Sequence, residues 1–63
     1  MGKWIAKATY EDGTEIEKEY PYTANGNYYL ENEEQHKIEC ELIEDNFYKY
    51  GLCTWYSVDY TEV

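Results

Sequence analysis

WIAKATYEDGTEIEKEYPY, Trp4 to Tyr22, alternates apolar and polar side chains on either side of Asp12-Gly13, and the length of the turn there decides which residues share a face. Asp-Gly most often marks a two-residue hairpin loop. That even loop would set Trp4, Ala6, Ala8 and Tyr10 against Glu15, Glu17 and Glu19, and no apolar face would form. A three-residue loop, Glu11-Asp12-Gly13, with Gly13 left-handed in a G1 bulge, removes the conflict. It predicts Ala8 opposite Ile16, Ala6 opposite Lys18 and Trp4 opposite Tyr20. One face then collects Trp4, Ala6, Ala8, Tyr10, Ile16, Tyr20 and Tyr22. The other face pairs Lys7 with Glu17 and Thr9 with Glu15, a solvated pattern with one favourable charge pair. Lys18 falls on the apolar face, where its stem can pack while its amine reaches out at the edge.

Downstream, TANGN (Thr23 to Asn27) reads as a loop from its Asn-Gly content. In LENEEQHKIECELIEDN, Ile38, Cys40 and Leu42 alternate as in a strand, yet Asn32 with Gln35 three residues on forms an N-cap and capping-box pair. Acidic residues in the first turn suit the positive end of the helix dipole, and Ile38 with Leu42 makes an i, i+4 apolar pair. A helix over residues 32–46 is the favoured reading. Cys40, Ile43 and Phe47 point to a different side of it, giving more apolar surface than one sheet face covers. A connection from Phe47 to Leu52, broken at Gly51, leads into CTWYSVDYTEV. There Thr54, Tyr56, Val58 and Tyr60 alternate with Trp55, Ser57, Asp59 and Thr61 as in a strand.

The element order is strand, strand, helix, strand. A helix returning along the sheet makes the last strand antiparallel to the first, beside which it fits. The expected fold class is therefore α+β: a small three-stranded antiparallel-type sheet (β-β-α-β, order 2-1-3) with one helix packed on one face, a single domain over residues 1–63. The uncovered face should expose Trp55 or some of the Tyr residues, and function is expected in that surplus.

Composition narrows the function. The chain has 63 residues, and a domain this small buries only about 60% of its unfolded surface. Five Lys and no Arg face fourteen Asp and Glu, for a formal net charge of −9. Such a balance disfavours nucleic acid as a direct ligand, since phosphate binding needs clustered cations. It equally disfavours an anionic membrane surface, and it favours a basic protein partner. Strong acidity often accompanies disorder, but at 19% aromatic residues, including nine Tyr and two Trp, the chain is read as ordered. No basic stretch followed by an apolar run is found, nor a segment approaching a membrane span, so a soluble, cytoplasmic protein is expected. Cys40 and Cys53 are read as reduced thiols in that setting.

Chemistry-bearing constellations are sparse. Ser57 and the single His36 belong to no recognisable catalytic motif, and no enzymatic activity is expected. His36 and Cys40 share a helix face and Cys53 could approach them, but the paired-Cys spacing of zinc signatures is missing; no metal or other cofactor is expected. What remains is the combination of carboxylates with Tyr and Trp, residues that supply large contact area at low entropic cost. Tyr20, Tyr22 and Tyr56 are read as core. The candidate partner-binding residues are Glu31, Glu33, Glu34, Glu41, Glu44 and Asp45 for charge, with Tyr28, Tyr29, Tyr48 and Tyr50, at loops or element ends, as anchors.

A short, Arg-free chain with the acidic runs EDGTEIEKE and ENEEQHKIECELIED and the Tyr-rich end CTWYSVDY resembles the small acidic accessory proteins encoded by phages, among them anti-CRISPR inhibitors. The resemblance is one of general character along the chain and carries over no functional position. It implies an inhibitor that occupies a nucleic-acid site on a nuclease or other nucleic-acid-binding complex, by imitating the charge of nucleic acid. The alternative is a structural or homodimer-forming module, joined through Cys40, Ile43 and Phe47 or through a strand edge, whose acidity serves solubility alone.

Overall fold

In the computed structural model, which describes residues 2–62, the hairpin closes through the odd loop. Strand β1 (Gly2–Tyr10) pairs antiparallel with β2 (Glu15–Pro21), with Ala8 opposite Ile16, Ala6 opposite Lys18 and Trp4 opposite Tyr20. The Gly13 N–H donates to the Tyr10 carbonyl at 2.9 Å and the Tyr10 N–H to the Thr14 carbonyl at 2.9 Å. Gly13 has φ 90°, the left-handed conformation that glycine adopts without steric cost. Asp12 stabilises the tip by accepting from the Thr14 N–H at 2.8 Å, and the Thr14 side chain first, with this N–H second, holds its carboxyl below the usual range.

A second turn redirects the chain towards the sheet. Asn25 and Gly26 have φ 54° and 82°, and the Asn27 N–H closes the turn on the Ala24 carbonyl at 3.0 Å. Helix α1 (Tyr28–Cys40) starts here, earlier than the capping box at Asn32 suggests. Asn27 is the N-cap: its side chain accepts from the Tyr29 and Leu30 N–H groups at 2.9 and 3.2 Å. Asn32 and Gln35 lie inside the helix, where a capping box has no free donors to satisfy.

The helix also runs further than the sequence suggests. Residues Glu41–Asp45 form a π-helical segment, in which the Asn46 N–H reaches back to the Glu41 carbonyl at 3.0 Å. A short helix α2 (Phe47–Tyr50) follows, in place of the expected irregular connection, and Gly51 at φ 88° and ψ −154° ends it. Strand β3 (Cys53–Glu62) then pairs antiparallel with β1, which gives the sheet order β2-β1-β3. The ladder shifts register between Thr9 and Tyr10, so that Thr9 faces Trp55 and Tyr10 faces Cys53.

The core lies between the central strand and the helical layer. Trp4, Ala6, Ala8 and Tyr10 of β1 cluster with Ile38 and Leu42, while Ile16, Tyr20, Tyr22, Tyr50, Cys53 and Val58 pack around them. Ala6 and Ala8 are small, which lets the helix approach closely and seat its two aliphatic side chains. Burying Ile38 and Leu42 contributes about 1.5–3 kcal/mol each. Ile43 and Phe47 remain exposed, the apolar excess that a single sheet face cannot cover. Trp55 is 55% exposed on the face away from the helix. No helix among the described residues is long and apolar enough to cross a membrane.

Candidate partner-binding surface

The helical layer carries Glu31, Glu33, Glu34, Glu39, Glu41, Glu44 and Asp45 against only Lys37 and Lys49. The other lysines are occupied at or beside the sheet: Lys3 with Glu19 at 3.0 Å, Lys7 with Glu17 at 3.9 Å and Lys18 with Glu41 at 3.2 Å. Lys18 behaves as its position on the apolar face requires, with its amine 5.1 Å from the Tyr20 ring centroid and bonded outward to Glu41.

The candidate carboxylates divide into two groups. Glu31, Glu34 and Glu41 lie on the stripe of α1 and its extension that contains Ile38, and each ties the helical layer to the strands. Glu31 accepts from the Tyr22 hydroxyl, which in turn accepts from the Gly26 N–H at 2.8 Å. Glu41 accepts from the Tyr20 hydroxyl as well as from Lys18. Glu34 accepts from the Trp4 indole N–H at 2.7 Å and from the Thr23 hydroxyl at 2.5 Å, with the Thr23 N–H at 3.2 Å. Burial pushes the Glu34 carboxyl upward, but the hydrogen bonds from Thr23 and Trp4 together outweigh it and hold the group below the usual carboxylate range.

Glu33, Glu44 and Asp45 form the second group, exposed on the helical layer. Three of the candidate tyrosines accompany them: Tyr28 is 71% exposed, Tyr29 79% and Tyr48 91%. Tyr28 and Tyr29 meet edge to face at 6.1 Å, and Phe47 and Tyr48 do so at 5.9 Å. These ring pairs stand at opposite ends of a helical layer about 30 Å long at 1.5 Å per residue, with the exposed carboxylates between them. Tyr50 is placed differently. It is half-buried, with its ring 5.0 Å from that of Tyr10, and packs against the core. Tyr20 and Tyr22 pack there too, whereas Tyr56, read as core from the sequence, is 41% exposed at the sheet edge.

An aromatic group that the sequence did not single out gathers at the start of β1. Trp4 and Tyr22 stack at 5.5 Å, and Tyr60 meets both edge to face, at 6.0 and 4.8 Å. Its carboxylate neighbours raise the phenols: Glu31 lifts Tyr22, and the hydrogen bond to Glu62 pushes Tyr60 up to about 12. The available signal was the placing of Trp4 and Tyr22 on one face of the hairpin; Tyr60 joins them through the β1–β3 register, which sets it opposite Trp4.

The residues with catalytic or ligating chemistry are dispersed. Ser57, opposite Lys7 on β3, lies on the sheet face away from the helix, so the sheet separates it from His36. His36 Nε2 contacts Cys40 Sγ at 3.6 Å, and burial together with Glu44 raises the Cys40 thiol. Cys53 is also a free thiol and donates to the Trp55 carbonyl at 3.2 Å. Among the described residues no three His, Cys, Asp or Glu side chains converge as metal ligands. The recess lined by Ile16, Lys18, Glu41, Asp45, Lys49 and Tyr50 has a volume of about 400 Å³ and mixes both signs of charge. Comparison of the chain with protein-family models, with curated proteins and with solved structures gave no match.

Proposed function

We propose that this chain is a non-catalytic interaction protein that binds a basic, nucleic-acid-handling protein and competes there with nucleic acid. Glu33, Glu44 and Asp45 supply charge, and Tyr28, Tyr29 and Tyr48 supply contact area. Glu31, Glu34 and Glu41 hold the helical layer in position and add to its negative field. The observation that carries the reading is the pairing of exposed rings at both ends of an acidic helical layer with a cation shortage on that layer. Aromatic side chains so exposed contribute little to the stability of the fold itself, and they gain most when a partner covers them. Carboxylates beside them attract Lys and Arg that ordinarily meet phosphate. The general resemblance of the sequence to small acidic phage-encoded accessory proteins is what suggests an inhibitory role.

The test is capture from a lysate of the native host on the immobilised chain, eluted by a salt gradient and, separately, by duplex DNA. Retained nucleic-acid-binding proteins should leave in both elutions and should not be retained by the Glu33→Gln, Glu44→Gln, Asp45→Asn triple variant. Retention that ignores salt, DNA and the triple variant alike would count against the proposal.

A further inference from the structure

The two edges of the sheet are protected unequally. On β2, Glu15, Glu17, Lys18, Glu19 and Pro21 occupy a seven-residue strand, and charge and proline are the usual guards against edge pairing. β3 spans ten residues with no Lys and no Pro, and Trp55, Tyr56 and Tyr60 are 55%, 41% and 47% exposed along it. Its outer row of backbone donors and acceptors faces away from β1, a template for a further strand.

We propose that β3 pairs antiparallel with β3 of a second copy of this chain, joining two sheets into one of order β2-β1-β3-β3-β1-β2. The occupant is argued from charge. With a two-fold axis at Val58, Tyr56 stands opposite Tyr60 of the other copy, Trp55 opposite Thr61, Ser57 opposite Asp59, and Val58 opposite its own counterpart. With the axis at Ser57, Tyr56 meets Val58, Thr54 meets Tyr60 and Trp55 meets Asp59. Neither register sets a carboxylate across from a carboxylate, and both lay aromatic side chains beside apolar or aromatic ones. The same operation on β2 fails. Glu15, Glu17 and Glu19 alternate on one face, so axes at Ile16, Glu17 and Lys18 all bring glutamates face to face. The β3 edge is thus self-complementary and the β2 edge self-repelling.

Two-fold pairing keeps both helical layers on the same side of the joined sheet. Their like charges then repel at a distance, and screening relieves the repulsion. The dimer tightens as salt rises, the opposite of the salt response of a complex with a basic partner, so failure of either reading is distinguishable from failure of the other.

The experiment is sedimentation of the full chain over a wide concentration range at low and high salt, for the wild type and for Ser57→Glu. Ser57 lies opposite Lys7 within the monomer, which accommodates a glutamate. Between copies the new carboxylate faces either itself or Asp59. The expected result is a concentration-dependent shift from monomer to dimer in the wild type, stronger at high salt, and loss of that shift in Ser57→Glu with an unchanged circular dichroism spectrum. A wild-type monomer at every concentration and salt overturns the proposal and leaves the edge for a strand of another protein. Dimerisation that survives Ser57→Glu, or that is lost instead in Ile43→Glu, overturns it in favour of a different surface.

Discussion

Asn46 Nδ2 donates to the hydroxyl of Tyr10 at 3.0 Å, and that hydroxyl donates to the carbonyl of Leu42 at 2.6 Å, so one phenol joins the central strand to both sides of the π-helical turn. Tyr10 is 2% exposed, and its polar atom is satisfied within the core. Burial, the larger influence, together with nearby Cys53, Tyr50 and Glu41, raises its pKa against the lowering effect of the Asn46 bond.

Removing that oxygen leaves a buried amide and a carbonyl short of partners. Tyr10→Phe is expected to destabilise the fold by about 1–3 kcal/mol. Urea denaturation of Tyr10→Phe, Asn46→Leu and the double variant measures the coupling. If the two residues act as one unit, the double variant loses less than the sum of the singles.

The N-cap is tested by a pair of substitutions. Asn27→Ala should cost about 1 kcal/mol, because the Tyr29 and Leu30 N–H groups lose their acceptor. Asn32→Ala, inside the helix and exposed, should change stability by less than about 0.5 kcal/mol or raise it. Thermal unfolding of both variants checks the order.

Gly51 adopts φ 88° and ψ −154°, a region essentially closed to residues with a Cβ. Its N–H also closes α2 on the Phe47 carbonyl at 3.0 Å. Gly51→Ala is therefore expected to cost about 1–3 kcal/mol, read as a lower denaturation midpoint.

Stability should fall at both ends of the pH scale for different reasons. The Glu34 carboxyl is depressed in the folded state, so its contribution is present above the ordinary glutamate pKa and disappears as pH drops through the folded value. Tyr10, Tyr22 and Tyr60 are raised, so their contribution is complete below pH 10 and disappears as pH climbs, through about 12 for Tyr60. Melting temperature against pH should show both declines. Glu34→Gln should flatten the acid limb and Tyr60→Phe the alkaline one.

The binding proposal separates the tyrosines. Tyr29→Ala and Tyr48→Ala should each weaken capture of a basic partner by about 1–2 kcal/mol with little effect on melting temperature. Tyr50→Ala should instead lower the melting temperature, since that ring rests on Tyr10. Calorimetry with the captured partner and thermal unfolding of each variant together decide it.

Much of the sheet was legible because alternation has a strict period. Once Trp4, Ala6 and Ala8 had to share a face with Ile16 and Tyr20, the loop parity and the β1–β2 register followed, and the return path of the helix put β3 beside β1. Helix ends were less legible. Asn32 carries the capping-box pattern while Asn27 reads as loop, and only the left-handed Asn25-Gly26 turn, which presents the side chain of Asn27 to the first free N–H groups, makes it the cap. For the candidate surface, the spacing of Glu31, Glu34, Ile38 and Glu41 marks one stripe of a helix. Their partners Trp4, Tyr20 and Tyr22 come from another part of the chain, so the division between anchoring and exposed carboxylates needed the tertiary arrangement. Tyr50 does end an element, but the sequence places it in a connection after residue 46, and only the continuation of the helix through the wider turn seats its ring on Tyr10.

That wider turn makes the molecule unequally tolerant of changes in length. Deleting one position between Glu41 and Asp45 would let the rod close to ordinary pitch and leave everything beyond it in nearly the same orientation, because a π-helical turn holds one residue more than an α-helical one. Asn46 and Tyr50 would then still meet the phenol they grip, whereas an added position would swing them off it by about 100°. An extra residue at the Asp12-Gly13 tip would break the three-residue loop and its Gly13–Tyr10 and Thr14–Asp12 bonds, on which the shared apolar face depends.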